Sequence, residues 1–299
     1  IAGVQADGTL VFASDLPIGS YYVKEHAVDA PYLISEETYP ITFTYEDDTT
    51  AVVRIEVNNG EAIGNRIIRG SITGIKVDEQ GEPLPGAVFG LFRADCTDFT
   101  MENALLTAES AEDGSFSFED IPYGVWLVRE IAAPEGYVLS DEIFTVQISE
   151  NGAVIELGNL ENKPITGELE LTKKDISDGK LLPGAGFRIK DADGNVVAEC
   201  YTDENGIAKF TLRYGKYTYE EFDAPEGYRI DTTPHEFEIT EDGQIVKAEM
   251  TNEKIPTPDV PQTGDESNLG FWIGLGSIAL GGAIACGIVG LGCDFTHQL

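Results

Sequence analysis

Lysine, glutamate and asparagine recur in one order along this sequence, at positions where strand alternation turns all three toward a core. In GELELTKKD, Leu169, Leu171 and Lys173 share one parity, so a strand there points the lysine inward with the leucines and leaves Lys174 in solvent. In GKYTYEEF, Glu221 follows Tyr217 and Tyr219 on one face, while Thr218 and Glu220 take the other. Asn252 closes a run in which Val246, Ala248 and Met250 have its parity. The same set occurs earlier as Lys76, Glu130 and Asn162, and again, without a lysine, as Glu25 and Asn65. Ile155 and Leu157 stand on the opposite phase to Asn162, so the strand leading to it requires a bulge. An amine, an acid and a carboxamide that meet in a dry interior can react. Burial penalises the charged forms of an amine and of a carboxyl group, and a neutral amine is a nucleophile. It can attack the asparagine side-chain carbonyl while the acid hydrogen-bonds to that oxygen and carries protons to the departing ammonia. The fold supplies the effective concentration and the reaction happens once per site, so the expectation is self-maturation and not an enzyme.

The elements that must position these groups form a repeating module. The stretches ADGTLVFASDLPIGSYYVKEHAVDAPY, AEDGSFSFEDIPYGVWLVREIAAPEGY and TDENGIAKFTLRYGKYTYEEFDAPEGY align on their glycine turns as three copies of one pattern. The second and third copies also open alike, with GSITGIKVDEQGEPLPGAVFGLF at Gly70 and GELELTKKDISDGKLLPGAGFRI at Gly167. Within each copy, short runs of Val, Ile, Phe, Tyr or Leu alternate with polar residues and are broken by DG, NG, PG and EG turns, which is strand chemistry. About seven such strands per copy indicate a two-sheet sandwich. FTMENALLTAESA, from Phe99, is the best candidate for a short helix or an elaborated loop. The first copy lacks what should precede it, so its lysine is expected ahead of Ile1 and the sequence reads as part of a longer protein.

The motifs G-x-(I/L)-x-x-x-K, L-P-G-A-x-F and E-x-x-A-P-E-G-Y with a closing asparagine resemble the SpaA-like, collagen-adhesin B-type modules of Gram-positive pilins and surface adhesins. The resemblance covers the second and third copies fully and the first in part. It implies an all-β chain of tandem Ig-like, prealbumin-like sandwiches in which a lysine and an asparagine join in an isopeptide bond promoted by the glutamate. Carried onto these residues, the bonds are Lys76–Asn162 and Lys173–Asn252, promoted by Glu130 and Glu221, with Glu25 the matching acid of the partial module. YPIT near Tyr39 does not match the lysine-bearing motif by which backbone pilins polymerise, which favours an anchored stalk or accessory subunit over a shaft subunit.

Toward the carboxyl end, Leu269 to Cys293 is 25 residues without a charge, long enough to cross a bilayer as a helix. The proline-bearing stretch ahead of it reads as an extended linker. Its VPQTG, residues Val260, Pro261, Gln262, Thr263 and Gly264, resembles the LPXTG sorting signal of Gram-positive surface proteins, with valine in place of leucine. That resemblance implies cleavage by sortase between Thr263 and Gly264 and transfer of the threonine carbonyl to a peptidoglycan amine, with the apolar run a temporary membrane tether. Pro261 pre-bends the peptide and Gly264 lets the enzyme approach the scissile bond. Sorting signals normally finish in several Lys or Arg, and DFTHQL has none. The expected division is 1–69 partial module, 70–164 and 165–255 complete modules, 256–268 linker, 269–293 membrane helix and 294–299 tail.

Composition excludes several other functions. A formal charge of −34 with only 19 Lys and Arg argues against nucleic acid and against an anionic lipid surface. Cys96, Cys200, Cys286 and Cys293 show no metal or disulfide spacing, and His26, His235 and His297 belong to no catalytic arrangement and read as surface residues. In DADGN the glycine falls too early for a calcium loop, so Asp191 is expected in a hairpin turn. Neither a cofactor nor a metal is expected. The reading is a wall-anchored stalk on the surface of a Gram-positive bacterium, carrying an unseen head that meets a host surface or matrix protein. Two alternatives are modules that themselves bind a host matrix protein, and the anchoring region of a secreted surface enzyme.

Overall fold

The computed structural model describes residues 2–12, 16–44 and 55–257. The sorting-signal residues Val260 to Gly264, the expected membrane helix 269–293 and the tail 294–299 lie outside the described residues. No helix among the described residues is long and apolar enough to cross a membrane. The chain divides into two compact units, Ile1–Glu135 with Leu139–Lys163, and Gly136–Val138 with Pro164–Leu299.

The first unit opens with an antiparallel pair, β1 (Gly19–Lys24) and β2 (Thr38–Phe43). Seven strands of the second copy follow: β3 (Arg69–Val77), β4 (Val88–Arg93), β5 (Leu106–Glu109), β6 (Ser115–Pro122), β7 (Gly124–Ala132), β8 (Ile143–Ile148) and β9 (Val154–Glu161). They form a three-stranded sheet, β6-β3-β9, and a four-stranded sheet, β5-β4-β7-β8. The second unit repeats this plan with β10 (Thr166–Asp175), β11 (Gly186–Asp191), β12 (Val196–Tyr201), β13 (Ile207–Arg213), β14 (Gly215–Asp223), β15 (His235–Ile239) and β16 (Gln244–Asn252). Its sheets run β13-β10-β16 and β12-β11-β14-β15. In both copies the first and last strands are parallel neighbours, while the remaining pairings are antiparallel.

The alternation read from sequence is the burial pattern of the strands. Along β10 every second residue is buried, through Leu169, Leu171 and Lys173 to Asp175, because one face meets the other sheet and the opposite face meets water. Lys174 turns outward and pairs with Glu249. Ile72, Phe89, Leu91, Phe116 and Ile148 fill the core of the second copy, and Leu169, Leu171, Phe187, Phe210 and Ile239 that of the third. The glycine that opens each copy is a close-approach position. A Cβ on Gly70 would stand 2.6 Å from the Ala153 carbonyl oxygen, and one on Gly167 would stand 2.8 Å from that of Gln244. Any side chain there would push the first strand off the last.

The phase conflict before Asn162 is resolved by a bulge. Thr73 pairs with Glu156 but Ile75 with Asn159, and Gly158 takes φ +77°, which a glycine adopts without strain. Ile155 and Leu157 therefore pack on the core before the slip, and Leu160 and Asn162 after it. The stretch from Phe99 is a loop and not a helix: a turn at Thr100–Ala104 leads into β5, and Phe99 folds back edge-on to Phe92 at 5.0 Å under the Arg129 guanidinium. DADGN is the turn between β11 and β12, with Asp191 accepting the backbone N–H groups of Asp193 and Asn195. Among the described residues neither Cys96 nor Cys200 forms a disulfide. His26 is exposed, but His235 is half-buried and stacks on Tyr219 at 5.1 Å, because its place in β15 puts it beside that ring; the surface expectation for it is corrected accordingly.

Candidate functional site

In each complete copy the three polar residues arrive from three strands and meet between the sheets. Lys76 and Lys173 sit near the ends of β3 and β10, Asn162 and Asn252 at the ends of the parallel neighbours, and Glu130 and Glu221 on β7 and β14 of the opposing sheet. All six are buried: both lysines are 0% exposed, Glu130 2%, Glu221 1% and the two asparagines 2%. The lysine backbone is pinned on both sides. Lys76 N–H donates to Gly114 O at 2.7 Å and its carbonyl accepts Leu84 N–H at 2.9 Å; Lys173 does the same with Gly206 at 2.8 Å and Leu182 at 2.9 Å. The D-G turn of the second copy, or N-G in the third, and the L-P-G-A motif are thus the two sides of the slot that holds the lysine.

The amine ends of these side chains lie in a nearly apolar pocket. Phe89 and Phe187 pair across the strand with Glu130 and Glu221, and their rings lie 5.9 and 5.4 Å from the lysine nitrogens. Lys76 Nζ is 2.6 Å from Asn162 Oδ1 and 3.5 Å from Glu130 Oε1. Lys173 Nζ is 3.3 Å from Glu221 Oε1, an ion-pair separation without hydrogen-bond geometry, and neither it nor Asn252 Oδ1 has a hydrogen-bond partner among the described residues. Burial pushes both amines below their ordinary value, and the facing glutamate opposes the shift without overcoming it. Desolvation has therefore moved each amine toward its nucleophilic, neutral form.

The glutamates stand on a different side of the amide from the one expected. Glu130 takes the Asn162 N–H with Oε1 at 2.9 Å and Oε2 at 3.0 Å, and Glu221 Oε1 takes that of Asn252 at 2.8 Å. The expectation that the acid would hydrogen-bond to the carbonyl oxygen is corrected. The amide nitrogen donates and the glutamate oxygens accept, so each acid sits on the nitrogen side of the carboxamide. In both copies one oxygen, Oε1, is therefore near both the attacking and the leaving nitrogen, which suits proton transfer from one to the other. The second oxygen is fixed by backbone: Ser140 N–H donates to Glu130 Oε2 and Asp231 N–H to Glu221 Oε2, each at 2.8 Å and each ten residues after the acid.

Two further positions were not picked out from the sequence. Ser110 Oγ donates to Leu84 O at 2.8 Å and accepts Ala87 N–H at 2.9 Å; Thr202 Oγ1 does the same with Leu182 and Ala185 at the same distances. These buried hydroxyls tie down the L-P-G-A turn, and hence the lysine it pins. Their signal was a hydroxyl residue four places before the aligned glycines Gly114 and Gly206. The first copy brings together its two predicted residues, with Asn65 Nδ2 donating to Glu25 Oε1 at 2.8 Å. Among the described residues there is no cluster of His, Cys, Asp and Glu able to hold a metal.

The family model for the SpaA prealbumin-like fold domain matches residues 70–163 and again 167–254. The chain belongs to this SpaA family. Each match begins at or within three residues of the strand that carries a buried lysine and ends at or just beyond the buried asparagine. Among solved structures, a Bacillus anthracis protein, the TIE protein, is 37% identical with a TM-score of 0.65, over 80% of this chain and 43% of that one. Among curated proteins, the serine-aspartate repeat-containing protein D of Staphylococcus aureus is 30% identical over 156 residues, which is 45% of this chain and 12% of that protein. The SpaA chain described here thus spans a small part of the curated relatives it matches.

Proposed function

We propose that the chain is a stalk segment of a Gram-positive surface or pilus protein whose two complete SpaA modules lock themselves with isopeptide bonds, Lys76 to Asn162 and Lys173 to Asn252. The observation that carries this reading is a glutamate oxygen within 3.5 Å of both a desolvated amine and an asparagine amide nitrogen in a buried pocket, found twice. The amine adds to the asparagine carbonyl carbon, Glu130 or Glu221 carries the released proton to the amide nitrogen, and ammonia leaves. The modules carry out one turnover each and remain otherwise non-catalytic. Because the bond ties the first strand to the last, force applied along the chain passes through a covalent link and spares most of the sandwich.

The anchoring part of the proposal rests on sequence. VPQTG is the sortase substrate, Thr263 is joined to peptidoglycan, and residues 269–293 tether the chain in the membrane until transfer. The head that such a stalk carries, and through it a host surface partner, belongs to the same proposal. Proteolysis of the purified chain followed by tandem mass spectrometry tests the locking: branched peptides joining Lys76 to Asn162 and Lys173 to Asn252 are expected, and linear peptides alone would refute it. Expression in a Gram-positive host tests anchoring separately, because Thr263→Ala should move the protein from the wall fraction to the membrane or medium.

A further inference from the structure

The two complete modules differ on the outward face of the four-stranded sheet. Along β7 and β8 of the second copy the outward positions pair as Val125 with Gln147, Leu127 with Thr145 and Arg129 with Ile143, and none is acidic. At the first two of these places the third copy has Lys216 with Glu238 and Thr218 with Glu236. Ion pairs cross its outward face, Lys190 to Glu220 at 2.7 Å and Arg188 to Glu199 at 3.3 Å. In a chain of formal charge −34, three consecutive outward pairs without an acid set this face of the second copy apart. Val125 and Ile143 are exposed on it and Leu127 is half-buried. Residues 94–105 of the second copy, which stand where the third has only the turn 192–195, cover the neighbouring strand. The Phe92 ring lies against Gly90, where a Cβ would meet it at 2.5 Å, and Phe99 packs edge-on upon Phe92. The same loop leaves Met101 and Leu105 exposed. The Arg129 guanidinium lies 5.1 Å from the Phe99 ring, and no carboxylate pairs with it among the described residues. Its counterpart in the third copy, Glu220, is held by Lys190.

We infer that this face of the second module is a docking surface for a protein partner that presents an extended segment with one carboxylate between apolar side chains. The carboxylate follows from Arg129, a half-buried guanidinium with a ring on one side and no acid on the other. A carboxylate arriving from the solvent side makes a charge-assisted pair there, and the apolar neighbours shield the pair from water. The apolar flanks follow from Leu127, Val125 and Ile143, which border Arg129 on β7 and β8. A face poor in acids and carrying arginine, methionine and aliphatic side chains has the composition of an interface core and not of a solvated surface. A second copy of this chain fits less well, because two bodies of charge −34 repel one another and β7 and β8 offer no carboxylate to a partner's arginine. The inference does not depend on the locking chemistry, which lies on the inward face of the same strands.

The probe is a phage-displayed library of random dodecapeptides selected on the full chain. Enriched sequences should carry Asp or Glu between apolar residues, and the strongest of them, made synthetically, should bind the chain in solution. Arg129→Ala should weaken that binding roughly 10-fold or more. Thr145→Glu, at an exposed place on the same face that leaves the core untouched, should weaken it as much, whereas Glu220→Ala in the third copy should not change it. No enrichment over the unselected library, enrichment of sequences without an acid, or a peptide that binds Arg129→Ala and Thr145→Glu as tightly as the parent chain would overturn the inference. A concentration-dependent dimer of the peptide-free chain that Thr145→Glu dissolves would overturn it too, because a second copy would then close the face.

Discussion

Replacing Glu130 by Gln keeps the side-chain volume and an oxygen for the Ser140 N–H, but removes the group that moves a proton between Lys76 and Asn162. The bond should then fail to form although both partners remain in place. The two residues are 86 apart in sequence, and closing a loop of that size stabilises by about 4–5 kcal/mol in the chain-entropy account of cross-links. For a domain of this size, 1 kcal/mol moves the midpoint by roughly 4–8 °C, so the transition of this module should fall by about 20–30 °C. The unreacted amine, still buried against Phe89 with no carboxylate beside it, adds to the loss. Calorimetry of the full chain resolves the change as one transition moving away from the other, and the intact mass of the same sample reports one ammonia retained. A variant that still sheds both ammonia molecules would refute the role given to Glu130. One that retains ammonia yet shifts by less than about 5 °C would refute the entropy argument.

Asn252→Ala leaves Lys173 unreacted and buried, with its amine held below the ordinary 10.5 by desolvation. Between the lowered value and the ordinary one the unfolded chain binds more protons, so the stability of this variant should rise with pH through that interval up to 10.5, whereas the locked protein should show no such slope; denaturant melts at several pH values read it. Gly167→Ala places a methyl 2.8 Å from Gln244 O and 2.9 Å from Ile239, and should cost about 1–3 kcal/mol in chemical denaturation of an unlocked background. Thr202→Val strands Leu182 O and Ala185 N–H in the core, and should cost about 1–3 kcal/mol and slow the ammonia loss at Lys173 in pulse-labelled samples.

The sandwich was legible because its strands alternate strictly, and β10 shows why: three apolar or amine side chains of one parity can only share the buried face of a sheet with water on its other side. The bulge before Asn162 was legible too, since Ile155 and Leu157 could not face the core in phase with the asparagine, and Gly158 supplies the left-handed turn that resolves the conflict. Other features left no mark of that kind. Strand parity fixes the face each glutamate takes but not which side of the amide it meets. The backbone donors at Ser140 and Asp231 have no side-chain signature, and the hydroxyls of Ser110 and Thr202 resemble ordinary turn residues until their burial is seen. The helix alternative for the stretch from Phe99 failed because Phe99 gains more by covering Phe92 than by joining a helix with no second apolar face to bury.

The mass of the folded chain, measured intact, tests the central claim most directly. Two self-locked modules require a value lower than that of the 299-residue sequence by two ammonia molecules, each restored by a single lysine substitution at position 76 or 173 once the substitution itself is allowed for. A cooperatively folded chain weighing what its sequence dictates, with Lys76 and Lys173 still reactive to amine reagents after unfolding, would contradict it.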